Sequence, residues 1–367
     1  MYQKLHPLGP HTTASQLPAD HPTSWEVANG CPTTFSWEYN DHRKELLTLY
    51  EKAKIGQWDA QTRIDWTIPT DPTNPMGIDE TIIPLYGTEL WGKLGKKTQD
   101  GIIYDYNAYL IGAFLHGEQG AMISAAKIIE SAPDHDAKWL ATTQAIDESR
   151  HIEAFGKFAH RIDMVRPVQR SLMKMYEVAF KSDKWDLVML NSHVVAEGWG
   201  LGSMQLMRDN ATNPLAKSML AYIMQDEARH IAFGRYVLKD HFSKLTAQEL
   251  IDREDYLIAC VMWLYARLDF TEILDHHLDM KDVGRQIKDN VGYHKVKKHM
   301  MSRIVPIIRD IGLLTPRIQK TFVKLGILEN IDLNFDTMWD EDNAIATSME
   351  EIVRNRLLQV GVNPAVL

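Results

Sequence analysis

Apolar residues recur every three or four positions from about residue 80 to about residue 325, a period that predicts a succession of amphipathic helices. The two-residue alternation of half-buried strands is nearly absent. Polar or proline-bearing breaks cut the pattern at Ser131–Asp136, near Pro167, at Lys181–Lys184, at Asp209–Pro214, near Lys244–Thr246 and near Asp279–Gly284. Asn213 followed by Pro214 is a helix-start signal, because proline is tolerated at the first helical position. Upstream, residues 41–55 read as a helix, and WTIPTDPTNPMG (66–77), with three prolines, reads as a loop. Residues 1–40 are rich in Pro, Thr and His without a sustained period and predict an arm. The last forty residues hold one amphipathic stretch, Met349–Leu358, and otherwise read as tail. The fold class expected is all-α. The organisation expected is an arm and lead-in segment (1–79), a helical bundle core (80–243), additional packing helices (244–325) and a C-terminal tail (326–367).

Within the core the chain repeats itself. DESRH (147–151) and DEARH (226–230) each follow a glutamate on an earlier helix. Glu197 lies 79 residues after Glu118, Glu227 lies 79 after Glu148, and His230 lies 79 after His151. EAFGKF and IAFGRY follow the two histidines, slipped by one residue. Self-similarity at a fixed offset implies two helix hairpins packed about a pseudo-twofold axis. Glu118 and Glu148 stand at comparable distances from the break between their helices, ~20–24 Å at 1.5 Å rise per residue, so they meet at one height on antiparallel neighbours. Glu197 and Glu227 flank their own break in the same way. In each second helix Glu and His are three residues apart and share a face.

Four carboxylates and two imidazoles converging inside a bundle are costly unless cations accompany them, since a buried unpaired ion loses several kcal/mol of solvation. Two divalent ions balance four carboxylates. Mixed carboxylate and imidazole ligation suits iron, or manganese at one or both positions. The predicted ligands are Glu118, Glu148, His151, Glu197, Glu227 and His230. Asp147 and Asp226, each four residues before a histidine, are placed to bond the outward imidazole nitrogen and set its tautomer. Arg150 and Arg229 are placed to pair with those aspartates. Whether each aspartate serves the histidine of its own helix or of the partner helix stays open at this level.

Bulk composition removes other classes. The 367 residues carry 40 Lys and Arg against 49 Asp and Glu, a formal charge of −9, which argues against a nucleic-acid partner. At 45% hydrophobic and 24% charged the chain is ordinary for a globular protein. No apolar run reaches the roughly 18 residues that span a bilayer, and no basic segment with an apolar follow-on marks a signal peptide. Two cysteines, Cys31 and Cys260, cannot build a disulfide framework; Cys260 sits in an apolar helical pattern and is expected to be a buried thiol. The expectation is a cytoplasmic protein with no membrane partner.

The ligand pattern over 80–243 resembles the ferritin-like carboxylate-bridged di-iron oxygenase superfamily, in which one Glu from each of two helices joins a Glu-x-x-His from each of two others. WDAQTRIDW (58–66) is similar to the lead-in segment of the bacterial multicomponent monooxygenases and their relatives. The resemblance implies a ferritin-like four-helix bundle, two irons, dioxygen as co-substrate and oxidation of a small to medium organic substrate. It suggests a homodimer. Phe155 occupies the radical-tyrosine position of the ribonucleotide reductase small subunit, which sets that branch aside. Leu201 replaces the threonine usual in the multicomponent hydroxylases. Ile223 replaces the extra histidine ligand of the arylamine N-oxygenases. His193, four residues before Glu197, is either a further ligand or a hydrogen-bonded core histidine.

Gly117, Gly120 and Ala121 around Glu118, and Gly198, Gly200 and Gly202 around Glu197, allow either close helix packing or room beside a metal. Phe114, Phe155, Trp199 and Leu201 are candidates to line an apolar pocket. The leading expectation is a monooxygenase performing hydroxylation, epoxidation or N-oxygenation. Its electrons come from a separate ferredoxin or reductase, because no dinucleotide-binding glycine fingerprint or Fe–S cysteine set is present. An acyl-carrier-protein desaturase, docking its acidic carrier through Lys295, Lys297, Lys298 and Arg303, is the second reading. Iron oxidation and storage is the third.

Overall fold

The computed structural model describes residues 32–35, 43–162, 165–267, 271–275 and 277–359. Most of the arm expected over 1–40 lies outside the described residues; residues 32–35 cross the first bundle turn, where Thr34 N–H donates to the Glu130 carbonyl (2.9 Å). Helix α1, Lys44–Ile55, precedes the looped segment expected around 66–77. Helix then begins in short pieces, a 3-10 turn at Glu80–Ile82 and a five-residue helix at Glu89–Lys93. Pro84, Gly87 (φ 77°) and Gly95 separate these pieces from one another and from α2, which runs over Lys96–Ser131.

The core is formed by four long helical elements: α2; α3, His135–Arg161; a composite element; and, closing the set, α7, Pro214–Phe242. Between α3 and the composite element lies α4, Arg170–Lys181. The composite element begins as α5, Trp185–Met189, passes through a π-helical stretch, Leu190–Ala196, and continues as α6, Glu197–Asn210. Asp134 caps α3 by accepting from Ala137 N–H (2.8 Å), and Asn213 caps α7 by accepting from Leu215 N–H (2.9 Å), with Pro214 at the first helical position. α2 packs on α3 and α6 on α7, giving the two hairpins implied by the repeat, and α1 lies across α3 and α7. An isolated antiparallel bridge, Ile78 to Ala211, ties the lead-in loop to the second hairpin turn.

Beyond the bundle come α8, Ala247–Arg267, which packs on α4, and α9, Val291–Met300, which packs on α6. Cys260 is buried, as its apolar context implies. No helix among the described residues is long and apolar enough to cross a membrane. The C-terminus departs from expectation: α10, Phe335–Gln359, is a 25-residue helix packed along α7. Its buried positions are Phe335, Asp342, Ala346 and Val353. The apolar stripe is interrupted by a carboxylate, which hides the helical period. Asp342 accepts from Arg208 (2.8 Å) and from Arg303 (2.9 Å), both buried. The basic patch expected at Lys295, Lys297, Lys298 and Arg303 therefore does not form as one surface. Arg303 is consumed inside, Lys297 is buried over the Tyr265 ring (3.7 Å), and Lys298 pairs with Glu329 (2.9 Å).

Removing one member of a buried ion cluster strands the others. Asp342→Ala is expected to cost about 3–5 kcal/mol and to expose α10 first, seen as a lower thermal midpoint and early proteolysis within 335–359.

Candidate metal centre

The bundle brings all six predicted residues into one buried cluster. Glu118 comes from α2, Glu148 and His151 from α3, Glu197 from the first turn of α6, and Glu227 and His230 from α7. None is more than 5% exposed. The cluster divides into two overlapping groups: Glu118, Glu148, His151 and Glu227, and then Glu148, Glu197, Glu227 and His230, each offering one ligand atom with all of these within 4.8 Å of one another. Glu148 and Glu227 are common to both groups. Glu148 turns Oε2 toward His151 Nδ1 (3.3 Å) and Oε1 toward His230 Nδ1 (3.3 Å). Glu227 turns Oε1 toward His151 Nδ1 (2.9 Å) and Oε2 toward His230 Nδ1 (3.7 Å). Glu118 and His151 belong to one position, Glu197 and His230 to the other, as the 79-residue offset demands.

The outward imidazole nitrogens settle the question left open by the sequence. His151 Nε2 meets Asp226 (3.0 Å) and His230 Nε2 meets Asp147 (3.2 Å), so each aspartate serves the histidine of the partner helix. Arg150 and Arg229 each bond both aspartates, closing a square of two anions and two cations. Two residues not singled out by the repeat complete it. Gln57 donates to Asp147 (2.8 Å) and accepts from Arg150 (2.8 Å), while the Trp58 indole N–H donates to Asp226 (2.8 Å). Both lie at the start of the lead-in segment, so α1 and the loop after it serve to hold this network.

The electrostatics of the cluster favour positive charge at its centre. Burial pushes the Glu118 and Glu197 carboxyls well above the usual carboxylate range, and the negative Glu227 adds to both. Burial opposes charge on the imidazoles as well. For His151, hydrogen bonds to Asp226 and the neighbouring glutamates outweigh it; for His230, attraction to Glu148 and the bond to Asp147 do so. Both rise well above the ordinary histidine value. Glu197 Oε2 and His230 Nδ1 are buried with no hydrogen-bond partner. Buried ligand atoms without hydrogen bonds, converging among like charges, fit a pair of cations.

His193 is not a member of either ligand group. Its Nε2 donates to Gln144 Oε1 (2.8 Å), and burial, reinforced by the nearby charge on His230, pushes its pKa down to about 3. Gln144 escaped sequence reading because its counterpart in the other hairpin is Ile223, so the repeat does not flag it. A narrow cavity of about 30 Å³ opens beside Glu118, Glu197 and Glu227, walled in part by Phe114, Leu172, Met175, Tyr176, Trp199 and Met204. Of the aromatic candidates, Phe114 and Trp199 line it; Phe155 stands behind Phe114 (ring centroids 5.4 Å), and Leu201 is core. The glycines divide likewise. Gly117 and Gly200 leave room at the cavity, whereas a Cβ at Gly120 would lie 2.2 Å from the Tyr176 ring and one at Gly202 would lie 2.6 Å from the Met300 carbonyl.

Antiparallel hairpins that place buried carboxylates and imidazoles around two cation positions define the ferritin-like di-metal oxygenase class. The family profile of the p-aminobenzoate N-oxygenase AurF matches residues 39–312, and the chain belongs to that family. It is accordingly a non-haem di-iron oxidoreductase that uses dioxygen. Position 223, the place considered above for a further histidine, is isoleucine. No curated protein matches in sequence. Among solved structures, an R2-like ligand-binding oxidase with an anaerobically reconstituted Mn/Fe cofactor is similar at 16% identity and TM-score 0.44, covering 76% of this chain and 95% of its own. Another R2-like ligand-binding oxidase, photoconverted after aerobic reconstitution, is similar at 14% identity and TM-score 0.37, covering 87% and 94%.

Asp226→Ala removes the partner of His151 and leaves Arg150 and Arg229 to share Asp147 alone. It is expected to lower metal affinity by about 10–100-fold, read as metal retained after dialysis. Trp58→Phe, which deletes a single donor to Asp226, is expected to be milder.

Proposed function

We propose that Glu118, Glu148, His151, Glu197, Glu227 and His230 hold two irons, with manganese as the alternative ion, and that the chain inserts one oxygen atom into an uncharged, largely apolar amine. The observation that carries this reading is the cavity: it touches three of the six residues, its remaining walls are apolar apart from the polar groups of Tyr176 and Trp199, and no Lys or Arg among the described residues lines it. The metals, when bound, would supply the activation of dioxygen. The side chains bind, balance and orient them. Four carboxylates balance two divalent charges. The aspartate–arginine square fixes both imidazoles. The packed aromatic and methionine walls exclude water from the reacting end.

For a primary amine the balance is amine plus dioxygen plus two electrons and two protons, giving the hydroxylamine and water. One oxygen atom forms the N–O bond and the other leaves as water. A separate ferredoxin or reductase is the proposed electron source, and the cytoplasm the proposed compartment. A cavity of about 30 Å³ is smaller than a drug-sized site, roughly 300 Å³ or more. Substrate entry therefore requires the walls to give way, and Met175, Met204 and Leu172 are the flexible members.

The described cavity walls offer no basic partner for a substrate carboxylate, which favours amines without one. When the iron-loaded protein is reduced and exposed to dioxygen, aniline-type amines are expected to gain oxygen at nitrogen. p-Aminobenzoate is expected to react at least about tenfold less efficiently, the equivalent of ~1.4 kcal/mol. Preferred turnover of p-aminobenzoate contradicts the substrate assignment. Glu148→Ala and Glu227→Ala, each removing a carboxylate common to both positions, are expected to strip most metal in elemental analysis. Unchanged metal content contradicts the ligand assignment.

A further inference from the structure

The 79-residue offset pairs the ligands of the two halves of the metal cluster, and several residues beside those ligands differ in kind between the pairs. Gln144 corresponds to Ile223, His193 to Phe114, and Gly234 to Phe155. In one half, Phe114 packs against Phe155 and lines the cavity. In the other half, His193 packs against Gly234, where an added Cβ would lie 2.3 Å from the His193 Cβ. The glycine therefore makes room for the imidazole.

That imidazole has one visible task. Its Nε2–H donates to Gln144 Oε1 (2.8 Å), which fixes the amide with its NH₂ group facing the cluster. The NH₂ group then donates to Glu148 Oε1 (3.0 Å) and to Glu197 Oε1 (2.9 Å). Glu148 Oε1 is the oxygen turned toward His230. Both acceptors thus belong to the Glu197–His230 position, and Glu197 Oε2 is left without a hydrogen bond and free to ligate. Gln144 is 1% exposed and His193 fully buried, so both bonds are shielded from bulk solvent. At the Glu118–His151 position Ile223 has no donor to offer Glu227 or Glu118.

We propose that His193 and Gln144 are positioning residues that hold the carboxylates of the Glu197–His230 position, making the two cation positions unequal. The inference rests on the six-ligand reading above. A shared amide donor relieves the repulsion between two buried carboxylates and fixes their rotamers before a cation arrives. The Glu118–His151 position lacks that support. The cavity touches Glu197 as well as Glu118 and Glu227, so the broken symmetry separates the two positions by the hydrogen bonds behind their carboxylates and not by their access to the cavity.

The test is anaerobic titration with Mn²⁺, which reports binding without turnover. Wild-type protein is expected to take up two equivalents. Gln144→Ile, which copies the residue of the other hairpin, is expected to keep one equivalent and weaken the other by about 10–100-fold. The same loss is expected when Gln144→Ile is combined with Glu118→Ala, which leaves the Glu197–His230 position as the principal site. His193→Leu should weaken the same equivalent and His193→Gln, which retains an N–H donor toward Gln144, should restore it. This pair carries the test if Gln144→Ile fails to fold. Equal weakening of both equivalents, an unchanged Gln144→Ile titration, or equal behaviour of the two His193 variants overturns the proposal. Failure of wild-type protein to bind Mn²⁺, Fe²⁺ or Co²⁺ would instead sink the metal-site reading on which it stands.

Discussion

Four glutamates and two histidines buried within a few ångströms of one another are the constraint around which this chain is organised. Such a group is unfavourable by several kcal/mol per uncompensated charge, and no local interaction removes that cost. The duplicated hairpins bring the six side chains to one level, where two divalent cations would balance the carboxylates. The remaining helices keep the group dry and aligned. The aspartate–arginine square behind the histidines serves the same end. It surrounds the imidazoles with fixed charges whose sum is zero, so orienting them adds no net charge to the interior.

The elements outside the bundle follow from the same requirement. Glutamine and tryptophan side chains from the segment after α1 finish the hydrogen bonding of the two aspartates. α10 seals α7 from outside, anchored by Asp342 between two buried arginines. The π-helical stretch before Glu197 sets the register of α6 and carries His193 into the core. Close helix contact at Gly120 and Gly202 and open space at Gly117 and Gly200 shape one cavity against the glutamates.

Much of this was legible in the sequence because the chemistry is written twice. A single Glu-x-x-His on a helix says little, but two copies at one offset, each with an upstream glutamate, specify four helices and their relative height. The asparagine and proline opening α7 were legible because capping is local. What escaped reading was whatever is not duplicated or local. Gln144 lies where the repeat is broken, and its role depends on His193, 49 residues away. Gln57 and Trp58 reach the two aspartates across 90 and 168 residues of chain. The helical period of α10 is masked by Asp342, whose burial makes sense only once Arg208 and Arg303 are beside it. The helical pattern from about 80 holds in short pieces before the long helix, because proline and glycine interrupt residues 83–95 in spite of their apolar content.

The central claim is that this cluster is a two-cation site with shared carboxylates. Anomalous diffraction at the iron edge, from crystals of anaerobically iron-loaded protein, tests it most directly. The account predicts two peaks between the hairpins, one beside Glu118 and His151, the other beside Glu197 and His230, with Glu148 and Glu227 reaching both. A single peak, or iron bound elsewhere with these six side chains uncoordinated, would contradict it.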